Sequence, residues 1–299
     1  MGKVDDVMRD KAQVRNTFYR DPAKLGAREE LHRRFRVTPL HMADWELDLV
    51  DLSRIEQALD AGCGTGDFLL PLARRLVPQG ASVIALDLAA GSLSQAQARV
   101  QAEGLPVDCI LGDVEALPFD DHAFDLVLAN YFLYHVPDLD HAIAELRRVL
   151  RPGGTLLAAT NGQDHMHELW QLVEQALFRL GVSPQRVTAL LAHGRAAGAL
   201  SFRLDNGAHW LHRSFTDVHL ERYPDELHVT EVEPLVAYLL SLWFVEQMLA
   251  GATASDDALA MHSFEQSQVV ESLRHIVQER IRVEGMVRIS KETGAFVAR

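Results

Sequence analysis

The stretch LDAGCGTGDF, from Leu59 to Phe68, places three glycines at alternate positions behind an acidic residue. An apolar segment precedes the glycines and a helical pattern follows them. A glycine-rich turn between a strand and a helix lets bare backbone approach a ligand, with the N–H groups of the helix facing it. The stretch therefore predicts a nucleotide-binding turn in an α/β fold.

The spacing of the glycines narrows the choice of ligand. Dinucleotide-binding turns use the pattern G-x-G-x-x-G. The residue that would complete this pattern after Gly62 and Gly64 is Asp67, not glycine. A nicotinamide oxidoreductase is therefore disfavoured.

Short apolar segments alternate with helical patterns from Ile55 to Thr160, which is typical of a parallel sheet built from βαβ units. One helical segment, HAIAELRRVL, is followed by Arg151-Pro152-Gly153-Gly154, which predicts the end of that helix. The predicted strands are IEQALDA, SVIALD, VDCILGD, FDLVLAN and GTLLAAT.

Polar residues follow three of these strands. Asp87 ends the second strand about 20 residues after the glycines, where a carboxylate can accept both hydroxyls of a ribose. Asp113 ends the third strand and is suited to accept an adenine amino group, with Val114 as an apolar contact. Asn130 ends the fourth strand. Open α/β sheets bind ligands at the carboxyl ends of their strands, so these residues are expected to share one site.

In these segments the chain resembles the class I S-adenosylmethionine-dependent methyltransferases, in the small-molecule branch that includes the ubiquinone and menaquinone methyltransferases. The segments that carry the resemblance are LDAGCGTGDF, VIALDLAAGSLSQA, GDVEALPFDDHAFDLVLANYFLYHVPD and ELRRVLRPGGTLLAAT. The resemblance implies a Rossmann-like seven-stranded sheet with an antiparallel last strand, S-adenosylmethionine as cofactor and S-adenosylhomocysteine as product. The residues expected to hold the cofactor are Asp60, Gly62, Cys63, Gly64, Gly66, Asp87, Leu88, Asp113, Val114, Asn130 and Tyr131.

The remaining sequence predicts four regions. Residues 1–52 are expected to form an N-terminal helical lid, and residues 53–162 the cofactor-binding core. Residues 163–284 are expected to form a helical cap that includes a sixth strand, and residues 285–299 a hairpin that completes the sheet. The fifteen-residue apolar run from Leu235 to Leu249 is shorter than the roughly 20 residues of a bilayer span, so it predicts a buried helix.

Composition limits the partners. Acidic residues outnumber basic ones 42 to 29, for a formal charge of −13, which disfavours nucleic acid and anionic membranes as main partners. The two cysteines lack metal-binding or disulfide spacing, and the charged N-terminus lacks the apolar core of a signal peptide. We therefore expect a cytoplasmic protein with a small-molecule substrate, and a homodimer is an open alternative.

Candidate catalytic and substrate-binding residues surround the expected cofactor site. His135 and Tyr134 follow Asn130 directly, and histidine titrates near neutral pH, as a general base requires. His165 follows the fifth strand; with Glu168 it invites a metal interpretation, but no third ligand lies nearby, so no metal is expected. The candidate substrate-binding residues are Tyr19, Arg28, His32 and Asn161.

The sequence thus predicts a methyltransferase that acts on a small organic acceptor, with an aromatic or heteroaromatic metabolite of secondary metabolism as the first choice. Oxygen, nitrogen and carbon remain open as the methylated atom. The alternatives are an RNA or protein methyltransferase and a non-catalytic protein that binds S-adenosylmethionine. The motif Asn-Pro-Pro-Tyr of amino-group methylation is not present at Asn130, which precedes Tyr-Phe-Leu.

Overall fold

A computed structural model of the protein describes residues 22–197, 201–242, 245 and 266–299. The strands are β1 Gln57–Ala61, β2 Ser82–Asp87, β3 Val107–Leu111, β4 Phe124–Leu128, β5 Leu150–Asn161, β6 Val218–Arg222, β7 Glu226–Val229, β8 Val287–Ser290 and β9 Thr293–Ala298. Seven of them form one sheet in the order β3-β2-β1-β4-β5-β9-β6. The last strand, β9, runs antiparallel to both of its neighbours, whereas β1 to β5 pair in parallel. The predicted fold class is confirmed.

Helices cover both faces of this sheet. They are α1 Pro22–Phe35, α2 Met42–Leu47, α3 Leu69–Leu76, α4 Ala90–Ala102, α5 Leu139–Val149, α6 His167–Arg179, α7 Pro184–Ala197, α8 Gly207–Leu211, α9 Val232–Ser241 and α10 Gln266–Glu284. Alternate strand residues serve opposite cores: Ala58 belongs to the core under α3 and α4, and Leu59 to the core under α5. The strands are apolar on both faces because each face is buried, as is usual for parallel sheets.

Strand β5 begins earlier than the sequence predicted. Leu150 pairs with Phe124, the register then shifts, and regular pairing resumes where Thr155 faces Leu126. Gly153 has a φ of +80°, a conformation that glycine adopts without a Cβ clash. The residues Arg151 to Gly154 therefore end the helix as predicted, and they form the irregular start of strand β5.

The C-terminal segment does not form the predicted hairpin. Strand β8 pairs with β7 in a separate two-stranded sheet, and only β9 joins the main sheet. In β8, Val287 and Ile289 are buried in the core of the insertion, whereas all six residues of β9 are buried. Each strand packs against the core that buries its apolar side chains, so the consecutive strands β8 and β9 belong to different sheets.

A third core joins the N-terminal helix to the insertion. Leu31 and Phe35 of α1 pack with buried residues of α6, α7, α9, α10 and the β7–β8 sheet. Helix α9 corresponds to the first part of the predicted apolar helix, and Leu235 and Leu239 in it are fully buried. Of the predicted residues that follow α9, only Leu242 and Val245 lie within the described residues. No helix in the described part of the chain is long and apolar enough to cross a membrane.

Candidate functional site

A cleft with a volume of about 280 Å³ opens at the carboxyl ends of β1, β2, β3 and β4. The structure brings most of the residues predicted to hold the cofactor to its walls. These lining residues are Asp60, Gly62, Cys63, Gly64, Asp87, Leu88, Asp113, Val114, Asn130 and Tyr131. Gly66 does not line the cleft; a Cβ there would contact Leu70 and Ala96, so it allows close packing of helices α3 and α4.

The glycine turn is shaped by its neighbours in β2 and after β4. The N–H groups of Gly62 and Cys63 donate to the carbonyl oxygen of Leu86 at 2.7 and 3.0 Å. Gly62 has a φ of +77°, and a Cβ at this position would come within 2.4 Å of the Phe132 ring. Glycine is therefore required here, and Phe132, which sequence reasoning missed, forms a wall of the cleft.

Asp87 is held in place by backbone donors. Its Oδ2 accepts from the Gly64 N–H at 2.8 Å, and its Oδ1 accepts from the Ala89 N–H at 2.7 Å. Burial raises the pKa of this carboxyl, and the backbone hydrogen bonds oppose that rise. Each carboxylate oxygen has a second lone pair, so the fixed carboxylate can accept two further hydrogen bonds from adjacent hydroxyls.

The far end of the cleft suits a planar base. Asp113 Oδ1 accepts from the Glu115 N–H at 3.1 Å, which orients the side chain at the end of β3. The buried Val114 and the apolar Leu88 and Val136 line the same cleft. Apolar walls with one carboxylate at the edge are typical of small-ligand sites.

Asn130 is fixed at both ends of its amide group. Its Oδ1 accepts from the Ala159 N–H at 2.8 Å, and its Nδ2 donates to Glu46 Oε2 at 2.6 Å. Glu46 lies on α2 and is fully buried. Sequence reasoning missed it because Asp44, Glu46 and Asp48 form an alternating acidic pattern that resembles a solvated surface.

Two carboxyl groups near Asn130 are buried without full hydrogen bonding. Burial raises the pKa of Glu46 to about 8; the hydrogen bond from Asn130 opposes that rise, and the charge of Asp60 adds to it. Burial likewise raises the pKa of Asp60 to about 8, with smaller contributions from Asp87 and Asp67. Both groups therefore hold protons more tightly than exposed acids do.

The segment after β4 turns sharply into the cleft. Tyr131 has a φ of +57°, which is rare for a residue with a side chain and is often found at functional sites. Its hydroxyl group hydrogen-bonds Thr293 Oγ1 at 2.6 Å, and Thr293 donates to the carbonyl oxygen of Thr160. Its ring lies 5.8 Å from the Phe68 ring. Tyr131 thus links the end of β4 to β9 and presents an aromatic face.

The candidate catalytic residues lie at different places. His135 lines the cleft, whereas Tyr134 is not among the lining residues and packs edge-on against the His135 ring, with 4.5 Å between ring centroids. His165 is outside the cleft lining; its Nδ1 lies 3.1 Å from the carbonyl oxygen of Glu292 and must donate to it. Burial, then the charges of Lys291 and His32, lower the pKa of His165 to about 3. It is therefore neutral, with Nε2 as its acceptor.

The candidate substrate-binding residues are also distributed. Arg28 donates to the carbonyl oxygen and hydroxyl group of Ser241, so it stabilises the C-terminus of α9. His32 stacks edge-on against Tyr238, and burial lowers its pKa to about 4. Asn161 ends β5 outside the cleft lining. Tyr19 lies outside the described residues.

Metal-binding side chains do not gather in the part of the chain that the structure describes: no group of three or more is found there. Glu168, considered with His165 as a ligand pair, instead accepts hydrogen bonds from the backbone and hydroxyl group of Ser290. It therefore connects α6 to β8.

The segment between α1 and α2 is bound to the residues after β6. Thr38 N–H donates to Asp225 Oδ1 at 3.1 Å, and the Tyr223 hydroxyl group donates to the carbonyl oxygen of Leu40. Asp225, whose side chain is fully buried, also pairs with Lys291 at 2.7 Å. Trp45 contacts the Tyr223 ring, with 5.3 Å between centroids. These contacts hold the N-terminal segment across the carboxyl edge of the sheet.

Comparison with known proteins agrees with this geometry. The sequence profile of a family described as "Methyltransferase domain" matches residues 59–158. The chain is 36% identical over 119 residues to a demethylmenaquinone methyltransferase of Bacillus cytotoxicus, a match that covers 40% of this chain and 50% of that protein. It is 42% identical over 122 residues to a malonyl-[acyl-carrier protein] O-methyltransferase of Serratia marcescens, covering 40% of this chain and 45% of that protein.

The matches leave much of the relatives uncovered: the chain spans about half the length of these two proteins. Among solved structures, the YcgJ protein from Bacillus subtilis has a TM-score of 0.52 at 16% identity, with 86% of this chain and 97% of that chain covered. That similarity supports the fold alone. Residues 59–158 match the methyltransferase domain family, and the predicted resemblance to the class I S-adenosylmethionine-dependent methyltransferases is confirmed.

Proposed function

We propose that this protein transfers a methyl group from S-adenosylmethionine to a small organic acceptor, and that the acceptor is an aromatic or heteroaromatic metabolite. The observation that carries the proposal is the cleft at the ends of four neighbouring parallel strands, with a glycine turn on one side and Asp87, Asp113 and Asn130 along its length. The two relatives described above are named for quite different acceptors, so their shared region is expected to hold the cofactor and not to select the acceptor.

The residues present fit this cofactor. The turn is open at Gly64, where no atom lies within 4 Å of a Cβ position, Asp87 keeps lone pairs for two ribose hydroxyls, and Asp60 Oδ2 is buried without a partner among the described residues. We propose that Asp87 holds the ribose, Asp113 and Val114 the adenine, and Asp60 with the glycine turn the methionine part.

The bound cofactor would supply a methyl group that is already activated by its positive sulfur. The protein then has to align the acceptor with that methyl group and exclude water, which accounts for much of the acceleration in such displacements. The N-terminal segment is suited to both tasks because it closes the carboxyl edge through Tyr223 and Asp225. Helix α1 also interacts with residues near the glycine turn: burial raises the pKa of Glu29, the charge of Asp67 adds to that rise, and the charge of Arg99 opposes it.

We propose that the acceptor binds beside Asn130 and Tyr131 at the wall of the cleft. The aromatic rings of Phe68 and Tyr131 offer a flat, apolar wall, which favours a planar acceptor. His135 lines the cleft and is the preferred general base, with Tyr134 packed against its ring as a positioning residue. His165 and His32 do not line the cleft, so neither is assigned a role in binding the acceptor.

Calorimetry with purified protein tests the cofactor assignment. Wild-type protein is expected to bind both S-adenosylmethionine and S-adenosylhomocysteine. Asp87→Asn should weaken both by about 1–3 kcal/mol, because it removes charge-assisted hydrogen bonds to the ribose. Asp108→Asn, at an exposed position of β3, is the control. Binding that Asp87→Asn leaves unchanged would contradict the assignment.

Incubation with methyl-labelled cofactor and metabolite extracts then tests catalysis. A labelled small molecule identified by mass spectrometry supports the proposed reaction. Label on RNA or protein would favour those methyltransferase classes, and cofactor binding with no labelled product from any extract would favour a non-catalytic binding protein. A cytoplasmic location, a homodimer and a role in secondary metabolism remain predictions.

A further inference from the structure

Two buried carboxyl groups interact electrostatically near the glycine end of the cleft. Glu46, on α2, is fully buried, and Asp60, at the end of β1, is 1% exposed. Within the described part of the chain, Glu46 Oε1 and Asp60 Oδ2 have no hydrogen-bond partner. A buried polar atom without a partner destabilises a protein, so these two oxygens call for a ligand or a specific role.

The surroundings of the pair are acidic. Burial raises the pKa of Asp60, and the charges of Asp87 and Asp67 add to that rise; the charge of Asp60 in turn adds to the rise that burial causes in the pKa of Glu46. Glu46 Oε2 accepts a hydrogen bond from Asn130 Nδ2, and the charge of Glu46 adds to the rise that burial causes in the pKa of Tyr131. A cation in the cleft is the ligand chemistry that would stabilise the ionised form of the pair.

Glu46 does not line the cleft itself. It lies behind Asn130, which does, and its carboxyl group is one hydrogen bond of 2.6 Å away from that wall. Little solvent separates it from the cleft, because neither Glu46 nor Asn130 is more than 7% exposed. Charges interact more strongly across such a dry interior than through water.

We propose that the carboxyl group of Glu46 makes the cleft bind a ligand with a sulfonium cation more tightly than the corresponding neutral thioether. This inference rests on the proposed function. In methyl transfer the acceptor's electron pair would form a bond to the methyl carbon while the bond between sulfur and that carbon breaks, so that its electron pair stays on sulfur and the sulfur loses its positive charge. S-adenosylhomocysteine therefore lacks the attraction between a sulfonium charge and ionised Glu46. Glu46 strengthens binding of the cofactor but not of the product, which favours product release.

The preference depends on pH because the pair must be ionised to attract a cation. Near pH 7 the carboxyl groups, with pKa values of about 8, hold protons in the free protein. Binding of a cation then requires loss of one proton, which makes the affinity rise by about tenfold per pH unit below the pKa. The preference for the sulfonium ligand should rise between about pH 6 and pH 8 and level off above that range.

Calorimetry with S-adenosylmethionine and S-adenosylhomocysteine tests the proposal on Glu46→Gln. Glutamine has the same size, and its carbonyl oxygen can still accept from Asn130, so the variant removes only the ionisable group. Asp48→Asn, on the exposed C-terminal cap of α2, is the matched control. Loss of one charge pair should reduce the preference for S-adenosylmethionine by about tenfold in Glu46→Gln, with little change in affinity for S-adenosylhomocysteine and none in the control.

An unchanged preference in Glu46→Gln overturns the proposal. If the variant does not fold, infrared difference spectra of wild-type protein give a second test. Both ligands carry the methionine ammonium group, but only S-adenosylmethionine carries the sulfonium charge, so a protonated-carboxyl band should disappear with S-adenosylmethionine that persists with S-adenosylhomocysteine. Persistence of that band with both ligands also overturns it. Failure of wild-type protein to bind S-adenosylmethionine at all overturns the proposed function instead.

Discussion

Replacement of Gly62 by alanine measures how tightly the glycine turn is packed. A residue with a Cβ at a φ of +77° is strained by about 1–2 kcal/mol. The new Cβ would also lie 2.4 Å from the ring of Phe132, so the ring must move, which adds about 1–3 kcal/mol. We therefore expect Gly62→Ala to lower the free energy of unfolding by about 2–5 kcal/mol.

Gly64→Ala is the matched control. Gly64 has a φ of +54°, but no atom lies within 4 Å of a Cβ at that position. Only the backbone strain remains, so this variant should lose about 1–2 kcal/mol. Urea unfolding, followed by circular dichroism, gives both values from the shift of the midpoint at constant slope.

A double variant assigns the difference to Phe132. With Phe132→Ala as the background, Gly62→Ala should cost no more than Gly64→Ala costs in wild-type protein, because the ring that obstructs the Cβ is gone. Equal losses for Gly62→Ala and Gly64→Ala in wild-type protein would refute the close contact, and with it the shape of the cleft.

Three further changes test other parts of the structure. Asp225→Asn should destabilise the protein by about 3 kcal/mol, because it removes a fully buried carboxylate and leaves Lys291, which is 12% exposed, without its counter-ion. Asp205→Asn, which breaks a more exposed ion pair with Arg203, should cost under about 1 kcal/mol in the same urea assay. Burial lowers the pKa of His32 to about 4, against 6.5 in the unfolded chain, so between these values the unfolded state binds one more proton than the folded state. The free energy of unfolding should therefore be at its full value above pH 6.5 and fall by up to about 3 kcal/mol as the pH drops to 4. His32→Phe should remove that part of the pH dependence, and an identical loss in the variant and wild type would contradict burial of the ring. His135→Ala should reduce turnover of the identified acceptor more than cofactor affinity, and unaltered turnover would exclude the histidine from the mechanism.

The core of the fold was predictable because its signals are local. Strand β2 spans Ser82–Asp87, the segment predicted from the apolar run SVIALD, since a strand buried on both faces is a continuous apolar run that ends at a polar residue. Asp87, Asp113 and Asn130 follow their strands by position alone, and the parallel order brings these ends to one edge.

The remaining features depend on contacts between distant segments. Burial of Glu46 is decided by Asn130, 84 positions further along the chain, and the sequence around Glu46 resembles an exposed helix. Strand β7 is four residues long, and its alternation of Leu227 and Val229 with polar residues is too short to identify without its partner β8. The predicted hairpin was wrong for the same reason: the choice between two sheets is made by packing.

A crystal structure with S-adenosylhomocysteine tests the central claim most directly. We predict that the ligand lies in the cleft, with both ribose hydroxyls within hydrogen-bond distance of the Asp87 carboxylate and the adenine between Val114 and Leu88. An empty cleft, or a ligand bound at another surface of the protein, would contradict the account.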